Sequence, residues 1–248
     1  MQLTVVVPTY NEVGTLERLT RALLELRLPD VAMRVLIVDD ASEDGTAGVA
    51  DRLAQAAPGA VEVLHRVGRR GLGSAYAAGF ARALASEAGL IAQMDADLSH
   101  DPQVLRAMHA AIGEADVVIG SRYVAGGSLD PHWGWHRKLL SHLANRVVVP
   151  AALTLHVRDA TSGFRLWRRE ALAAIAPSLN ARSGGYAFQV EMALLAERAG
   201  CRIAEVPIHF RERESGRSKM NGWVALTAAR ELWSMRRRAG GAARRAQH

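Results

Sequence analysis

Short apolar runs alternate with longer amphipathic stretches along this chain, and the alternation predicts its elements. Leu3–Val7 is continuously apolar and mostly β-branched, the signature of a strand buried on both faces, with Pro8 as its expected end. Residues 11–26 carry Leu16, Leu19, Leu23 and Leu26 at helical spacing. A second buried strand is predicted over 35–38, a helix over 42–57 capped by Ser42 or Asp44, and a third strand over 61–64. Helix 74–88, strand 90–94, helix 102–113 and strand 116–120 continue the series. Strands and helices alternating at this spacing build a mostly parallel sheet covered on both faces, in which ligands bind outside the carboxyl ends of the strands.

After Arg122 the pattern is less regular. A helix is expected over 137–149, a loop or short strand over 159–165, a helix over 187–199 and a strand over 202–206. There is no internal repeat and no low-complexity linker before a basic C-terminal stretch.

The polar residues that follow the strands change the picture from a fold to a site. Tyr10 and Glu12 follow the first strand, Asp39 and Asp40 the second, Asp95 and Asp97 the fourth, Ser121 and Arg122 the fifth. In extended backbone, residues two apart face the same side, so Asp95 and Asp97 are expected to converge on one point. Paired carboxylates repel unless a cation lies between them, and a hard divalent cation that also holds substrate phosphates answers that need. Pro8, Tyr10 and Glu12 leave the first strand where a nucleoside can lie, its base stacked on Tyr10. Asp39 is placed to read ribose or base donors, whereas Asp40 is equally readable as a turn acid. Arg69, with Gly71 and Gly73, puts a cation beside backbone that a ligand can approach closely. No G-x-G-x-x-G follows the first strand, which argues against a dinucleotide oxidoreductase, and no lone Asp follows it as an aspartyl-phosphate hydrolase requires.

Composition narrows the field further. Of the 248 residues 49% are hydrophobic, enough for one large domain. No apolar run approaches the roughly 20 residues needed to cross a bilayer. The tempting stretch 147–155 is interrupted by Pro150, and the N-terminus lacks the pattern of a secretory signal. Cys201, the one cysteine, forms no intrachain disulfide. The net charge of +6 points to an anionic partner, but no zinc spacing or recognition-helix pattern supports nucleic acid. These features suggest a cytoplasmic protein.

Ordered motifs then carry a resemblance. Val-Val-Val-Pro-Thr-Tyr-Asn-Glu (5–12), Val-Asp-Asp-Ala-Ser-Glu-Asp-Gly-Thr (38–46), Gly-Leu-Gly-Ser-Ala (71–75) and Met-Asp-Ala-Asp-Leu-Ser-His-Asp-Pro (94–102) come first. Gly-Ser-Arg-Tyr (120–123), Ser-Gly-Phe-Arg (162–165) and Ser-Gly-Arg-Ser-Lys (215–219) follow. Over roughly residues 3–222 the chain resembles the family-2 glycosyltransferases, and within them the polyprenol (dolichol) phosphate mannose synthases. That resemblance implies a GT-A (nucleotide-diphospho-sugar transferase) fold over 1–221. It also implies inverting transfer of mannose from GDP-mannose to a polyprenyl monophosphate.

By the same resemblance, Asp95 and Asp97 hold Mg²⁺ or Mn²⁺. Ser99 stands where some relatives have a glutamine ligand. Pro8, Tyr10, Glu12, Asp39, Asp40, Arg69 and Gln189 bind the nucleotide sugar; Arg122, Arg137 and Ser141 hold the acceptor phosphate. Arg213 and Lys219 look like a mobile clamp on the diphosphates. Asp97, Arg122, Arg213 and Lys219 form the expected catalytic set. Asp159, Gly163 and Arg165 are expected to shape the sugar pocket, with an Asp159–Arg165 ion pair as the alternative, and Glu191 to orient sugar hydroxyls or serve as a cap. His100 reads as structural.

Residues 222–248 are expected to form an interfacial helix and basic tail. Trp223, Leu226, Arg230, Trp233 and Arg237 make one stripe there, consistent with peripheral contact at the inner membrane face. Whether a small membrane subunit is needed stays open. So do a UDP-glucose or UDP-N-acetylglucosamine donor and a non-catalytic nucleotide-sugar-binding role.

Overall fold

The computed structural model describes residues 1–68, 71–131, 145, 149, 153–181 and 183–212. Arg69, Arg137, Ser141, Arg213, Lys219 and the stripe over 222–248 lie outside them, as does the predicted helix over 137–149 apart from Asn145 and Val149.

The strands are β1 (Gln2–Thr9), β2 (Ala32–Asp39), β3 (Val61–His65), β4 (Leu90–Gln93), β5 (Val117–Ser121), β6 (Ser128–Leu129), β7 (Arg165–Arg168), β8 (Ile203–Pro207) and β9 (His209–Phe210). The helices are α1 (Leu16–Glu25), α2 (Thr46–Ala56), α3 (Leu72–Leu84), α4 (Leu105–Ala111), α5 (Arg169–Ile175) and α6 (Gly185–Arg198). Among the described residues seven strands form the main sheet in the order β3-β2-β1-β4-β7-β5-β8, and β6 pairs with β9 in a small second sheet.

The period of two along each strand divides the core into two layers. Val6, Leu36, Val38, Ile91, Ile119 and Trp167 pack with α3, α5 and α6, through Tyr76, Phe80, Leu172 and Phe188. Their neighbours Leu3, Val5, Val7, Val35, Ile37, Ala92, Val118 and Leu166 pack with α1, α2 and α4, through Leu16, Leu19, Val49 and Met108. Gly79 lets α3 lie close on the sheet, since a methyl there would stand 2.3 Å from Val6 Cγ1.

Several expectations are corrected. Pro8 does not end β1, which continues to Thr9 and pairs Pro8 with Val38. The reason is hydrogen-bond parity: Val6 O accepts from Met94 and Thr9 O from Asp40, so Pro8 faces the β4 side, where that strand has already ended. Helix α1 begins at Leu16 rather than residue 11, because Asn11 has φ +59 and residues 13–15 form a turn. Helix α2 begins at Thr46 rather than residue 42, and Asp44 serves its first turn by accepting from Thr46 N at 3.0 Å. Strand β7, followed directly by α5, runs antiparallel to both β4 and β5, and the loop or short strand expected over 159–165 meets it only at Arg165. The sheet is otherwise parallel.

Candidate active site

The chain order reverses between β2 and β4 on either side of β1, and that switch opens a crevice at the carboxyl ends of β1 and β4. Asp39, at the end of β2, is buried with both oxygens committed: Oδ1 accepts from Thr9 Oγ1 at 3.1 Å and Oδ2 from Ser42 N at 3.1 Å. Asp40 binds the Arg66 guanidinium at 2.5 Å and the Gly71 N–H at 2.8 Å, tying β3 to the start of α3. This is the turn-acid geometry, and the cation it recruits is Arg66, which the sequence reading passed over. Arg66 also donates to Ser74 Oγ. Tyr10 is half-buried at the mouth of the crevice. Glu12 lies in the turn before α1, its N–H bound to Thr46 Oγ1 and its Oε2 accepting from Thr15 at 3.2 Å.

Asp95 and Asp97 lie beyond the end of β4. The extended-strand argument for their convergence does not hold, since Asp97 sits in a turn and Leu98 has φ +60. The turn nevertheless brings both charges onto the same neighbours. Burial first, and then both carboxylates, push the Tyr76 phenol well above its ordinary pKa. The His100 imidazole, held neutral chiefly by burial, feels both acids as well.

Tyr76, fully buried and stacked on Phe80 and Phe188, donates to Asp95 Oδ1 at 2.8 Å. Asp97 Oδ1 accepts from Ser99 N at 3.1 Å. Opposite Asp95 stands Gly163, where an added methyl would lie 3.2 Å from Oδ2. The oxygen donors suit a hard divalent cation. Among the described residues no group of three or more His, Cys, Asp or Glu could hold a metal ion.

Gln189, from α6, reaches the same place. Its Oε1 accepts from Gln93 Nε2 at 2.7 Å, and its own Nε2 is buried without a hydrogen-bond partner. Gln93 is a polar residue inside an apolar strand, a visible flag that the sequence reading assigned no role. Nothing in the Ala-rich α3 pattern marks Tyr76.

Farther along the sheet, Arg122 follows β5. Its Nε and Nη2 grip Asp159 at 2.7 and 2.6 Å, and Nη2 also donates to Thr161 Oγ1 at 2.7 Å. The guanidinium lies over the Phe210 and Tyr123 rings. Burial opposes the charge, but the Asp159 carboxylate outweighs it and raises the pKa. The alternative of an Asp159–Arg165 pair is thus replaced by Asp159–Arg122. Arg165 instead donates to the carbonyls of Ser162, Ala160 and Gln189, and burial pushes its pKa down to about 10. Glu191 accepts from Asn180 N and Ser183 Oγ, which pins the loop before α6.

With this geometry in place, comparison with known proteins decides the family. The sequence profile described as Glycosyl transferase family 2 matches residues 4–176. The chain belongs to the family-2 glycosyltransferases. It is 44% identical over 225 residues to the undecaprenyl-phosphate mannosyltransferase of Micrococcus luteus, covering 90% of this chain and 89% of that protein. It is 43% identical over 219 residues to the polyprenol monophosphomannose synthase of Mycolicibacterium smegmatis, covering 88% and 80%. Among solved structures, glucosyl-3-phosphoglycerate synthase from Mycobacterium tuberculosis superposes with a TM-score of 0.66 at 19% identity, over 96% of this chain and 80% of that one. A mannosyltransferase from Pyrobaculum calidifontis, solved with GDP-Man and Mn²⁺, gives 0.60 at 22% identity, over 95% and 60%. These likenesses show the GT-A fold of the family-2 enzymes.

Proposed function

We propose that the protein transfers mannose, with inversion, from GDP-mannose to a polyprenyl monophosphate. The observation that carries this reading is the 43–44% identity, over nearly nine-tenths of the chain, to relatives named for that lipid-phosphate mannosylation.

The nucleotide lies along the crevice from the β2 end toward β4, its diphosphate at Asp95 and Asp97. Those two carboxylates hold Mg²⁺ or Mn²⁺, and when bound the cation offsets the charge of the departing nucleoside diphosphate. Tyr76 fixes the Asp95 carboxylate, and Ser99 N–H fixes that of Asp97. Pro8, Tyr10, Glu12, Asp39, Asp40 and Arg69 border the nucleoside, with Asp39 and Asp40 acting mainly by shaping the backbone around it. The acceptor supplies its own nucleophile: a phosphate monoester has its second pKa at about 6 and needs no strong general base. The remaining task is to bring two anions together, which needs cations.

Arg122, clamped by Asp159, presents a preorganised charge for the acceptor phosphate. Asn145 links the adjoining segment to it, donating to Thr161 Oγ1 at 2.9 Å while accepting from Thr161 N. Arg137 and Ser141, eight and four residues before Asn145 in the sequence, are proposed as further partners of the acceptor phosphate. Arg211 N–H binds Ser99 O at 3.1 Å, so the chain leads from the Asp95–Asp97 turn into the Arg213 to Lys219 stretch.

Among the described residues no helix is long and apolar enough to cross a membrane. With a lipid acceptor, this favours peripheral work at the inner membrane face, with the 222–248 stripe as the contact. Incubation with labelled GDP-mannose, Mg²⁺ and polyprenyl phosphate, followed by solvent extraction, tests the reading. Label in the organic phase is expected. Label arriving there only from another nucleotide sugar overturns the donor assignment, and none from any donor overturns the transferase reading.

A further inference from the structure

The buried amides beside Asp95 form a directed chain, and its direction is dictated from the inside. The Trp167 indole N–H can only donate, and it donates to Gln93 Oε1 at 3.1 Å. Gln93 therefore presents its NH₂ group to Gln189, whose Oε1 accepts at 2.7 Å. Gln189 in turn has only N–H donors left for the cleft. Trp167 and Gln93 are fully buried and Gln189 is 3% exposed, so water cannot scramble this order. The last donor, Gln189 Nε2, is buried and has no hydrogen-bond partner.

That donor faces a defined spot. The point where a side chain on residue 163 would begin lies 3.5 Å from Gln189 Nε2 and 3.2 Å from Asp95 Oδ2. No ligand atom can sit on that point, which is within bonding distance of the glycine's own Cα. The missing side chain instead keeps clear the space beside it, between a group that can only donate and a carboxylate oxygen that accepts. A hydroxyl satisfies both, accepting from Gln189 and giving its proton to Asp95. In the proposed reading the nucleotide runs from β2 past β1 to the acids after β4. Gly163 precedes β7, the next strand along the sheet, so the hydroxyl there belongs to the sugar beyond the diphosphate.

We infer that Trp167 and Gln93 are positioning residues that fix the polarity of the Gln189 amide, so that Gln189 and Asp95 together read one hydroxyl of the transferred sugar. Reversal of the amide would set two acceptors around one hydroxyl proton and leave one of them unsatisfied. The inference rests on the proposed nucleotide-sugar reading and assigns specificity within it.

The test compares wild type, Gln189→Met and Trp167→Phe by kcat/KM for GDP-mannose and for its 2-, 3-, 4- and 6-deoxy analogues. Wild type is expected to disfavour one deoxy donor by roughly tenfold or more. In Gln189→Met that penalty should shrink to about twofold while the others persist. Trp167→Phe keeps both glutamines but releases their direction, and should lose roughly half of the same penalty on a logarithmic scale. A role in folding alone would lower every kcat/KM together and leave these ratios untouched. Unchanged ratios in both variants overturn the inference, as does a loss spread evenly over all analogues. A wild type inactive with GDP-mannose but active with another nucleotide sugar would refute the donor assignment instead, and the deoxy series of that sugar then decides the relay by the same ratios.

Discussion

The two halves of the crevice handle buried polarity in opposite ways. At the β1–β2 end, Asp39 and Asp40 are saturated by the protein itself, through Thr9, Ser42, Arg66 and Gly71. At the β4–β7 end, Ser99 Oγ, His100 Nδ1, Arg165 Nη1 and Gln189 Nε2 are all buried with no hydrogen-bond partner. Buried groups of this kind cost on the order of 1–3 kcal/mol each when nothing completes them. The other such atoms among the described residues, on Gln2, Thr4 and Thr20, belong to the early part of β1 and to α1, away from the crevice. One half is therefore finished scaffolding, and the other is arranged for what it binds.

Removing an acid from the unfinished half should cost activity rather than stability. Asp97→Ala is expected to lower transfer by at least about a hundredfold, since the diphosphate charge then loses its cation. Its urea midpoint should stay near that of wild type. Transfer assays across a Mg²⁺ series together with denaturation curves check both parts, and near-normal turnover would remove the metal assignment.

The clamp on Arg122 sharpens the contrast from the other side, because it is finished and, in the proposed function, also meets the acceptor phosphate. Both partners are buried, with Asp159 at 0% side-chain exposure, so Asp159→Ala strands an uncompensated guanidinium. Loss of one partner of such a pair typically costs about 3–5 kcal/mol. Arg122→Ala should raise KM for the lipid phosphate more than KM for the donor. Denaturation of the first variant and steady-state kinetics of the second measure the two effects.

Tyr76→Phe probes the joint between the halves, since α3 starts at the Asp40 cluster and carries the phenol to Asp95. A hydrogen bond to a charged acceptor is worth about 1.5–3 kcal/mol. The half-saturating Mn²⁺ concentration should rise roughly tenfold, read from the free-Mn²⁺ resonance in the presence of GDP, with little change in Tm. An unchanged Mn²⁺ titration would show that Asp95 needs no such support.

The sequence made the scaffold far more legible than the site. Parallel strands announce themselves by unbroken apolar runs, and the acids stand out at their ends. Strand β7 escaped because Arg165 and Arg168 break its apolar pattern, and because an antiparallel insertion has no crossover helix to betray it. Asp95 and Asp97 were recognised, but for a geometric reason that the turn at Leu98 replaces. Tyr76 and Trp167 were invisible as functional groups because their rings read as core; only the atoms at their polar tips join the site. Pairing choice was equally hidden: the sequence offered Asp159 the nearby Arg165, and the fold gave it Arg122, 37 residues away.

The smallest effect distinguishes the halves by pH. His100 is wedged between the Phe164 and Phe210 rings at 5.1 and 5.2 Å, with its Nδ1 unpartnered. Burial lowers its pKa below the ordinary 6.5, more strongly than Asp95, Asp97 and Asp159 raise it, and Arg122 adds to the lowering. The folded chain thus holds this ring neutral while the unfolded chain takes up a proton. Its contribution is intact above pH 6.5 and is lost as pH falls from there through the folded-state value. The loss cannot exceed about 1.4 kcal/mol per pH unit, one proton's worth. The chain carries other histidines, among them the exposed His65 beside Asp51 and His156 beside Glu197, so the wild-type curve alone is not specific. His100→Phe fits the same aromatic stack and removes only this proton. Between pH 6.5 and pH 5 its unfolding free energy should fall less steeply than that of wild type, and parallel curves would show that His100 is not the buried neutral group the structure makes it.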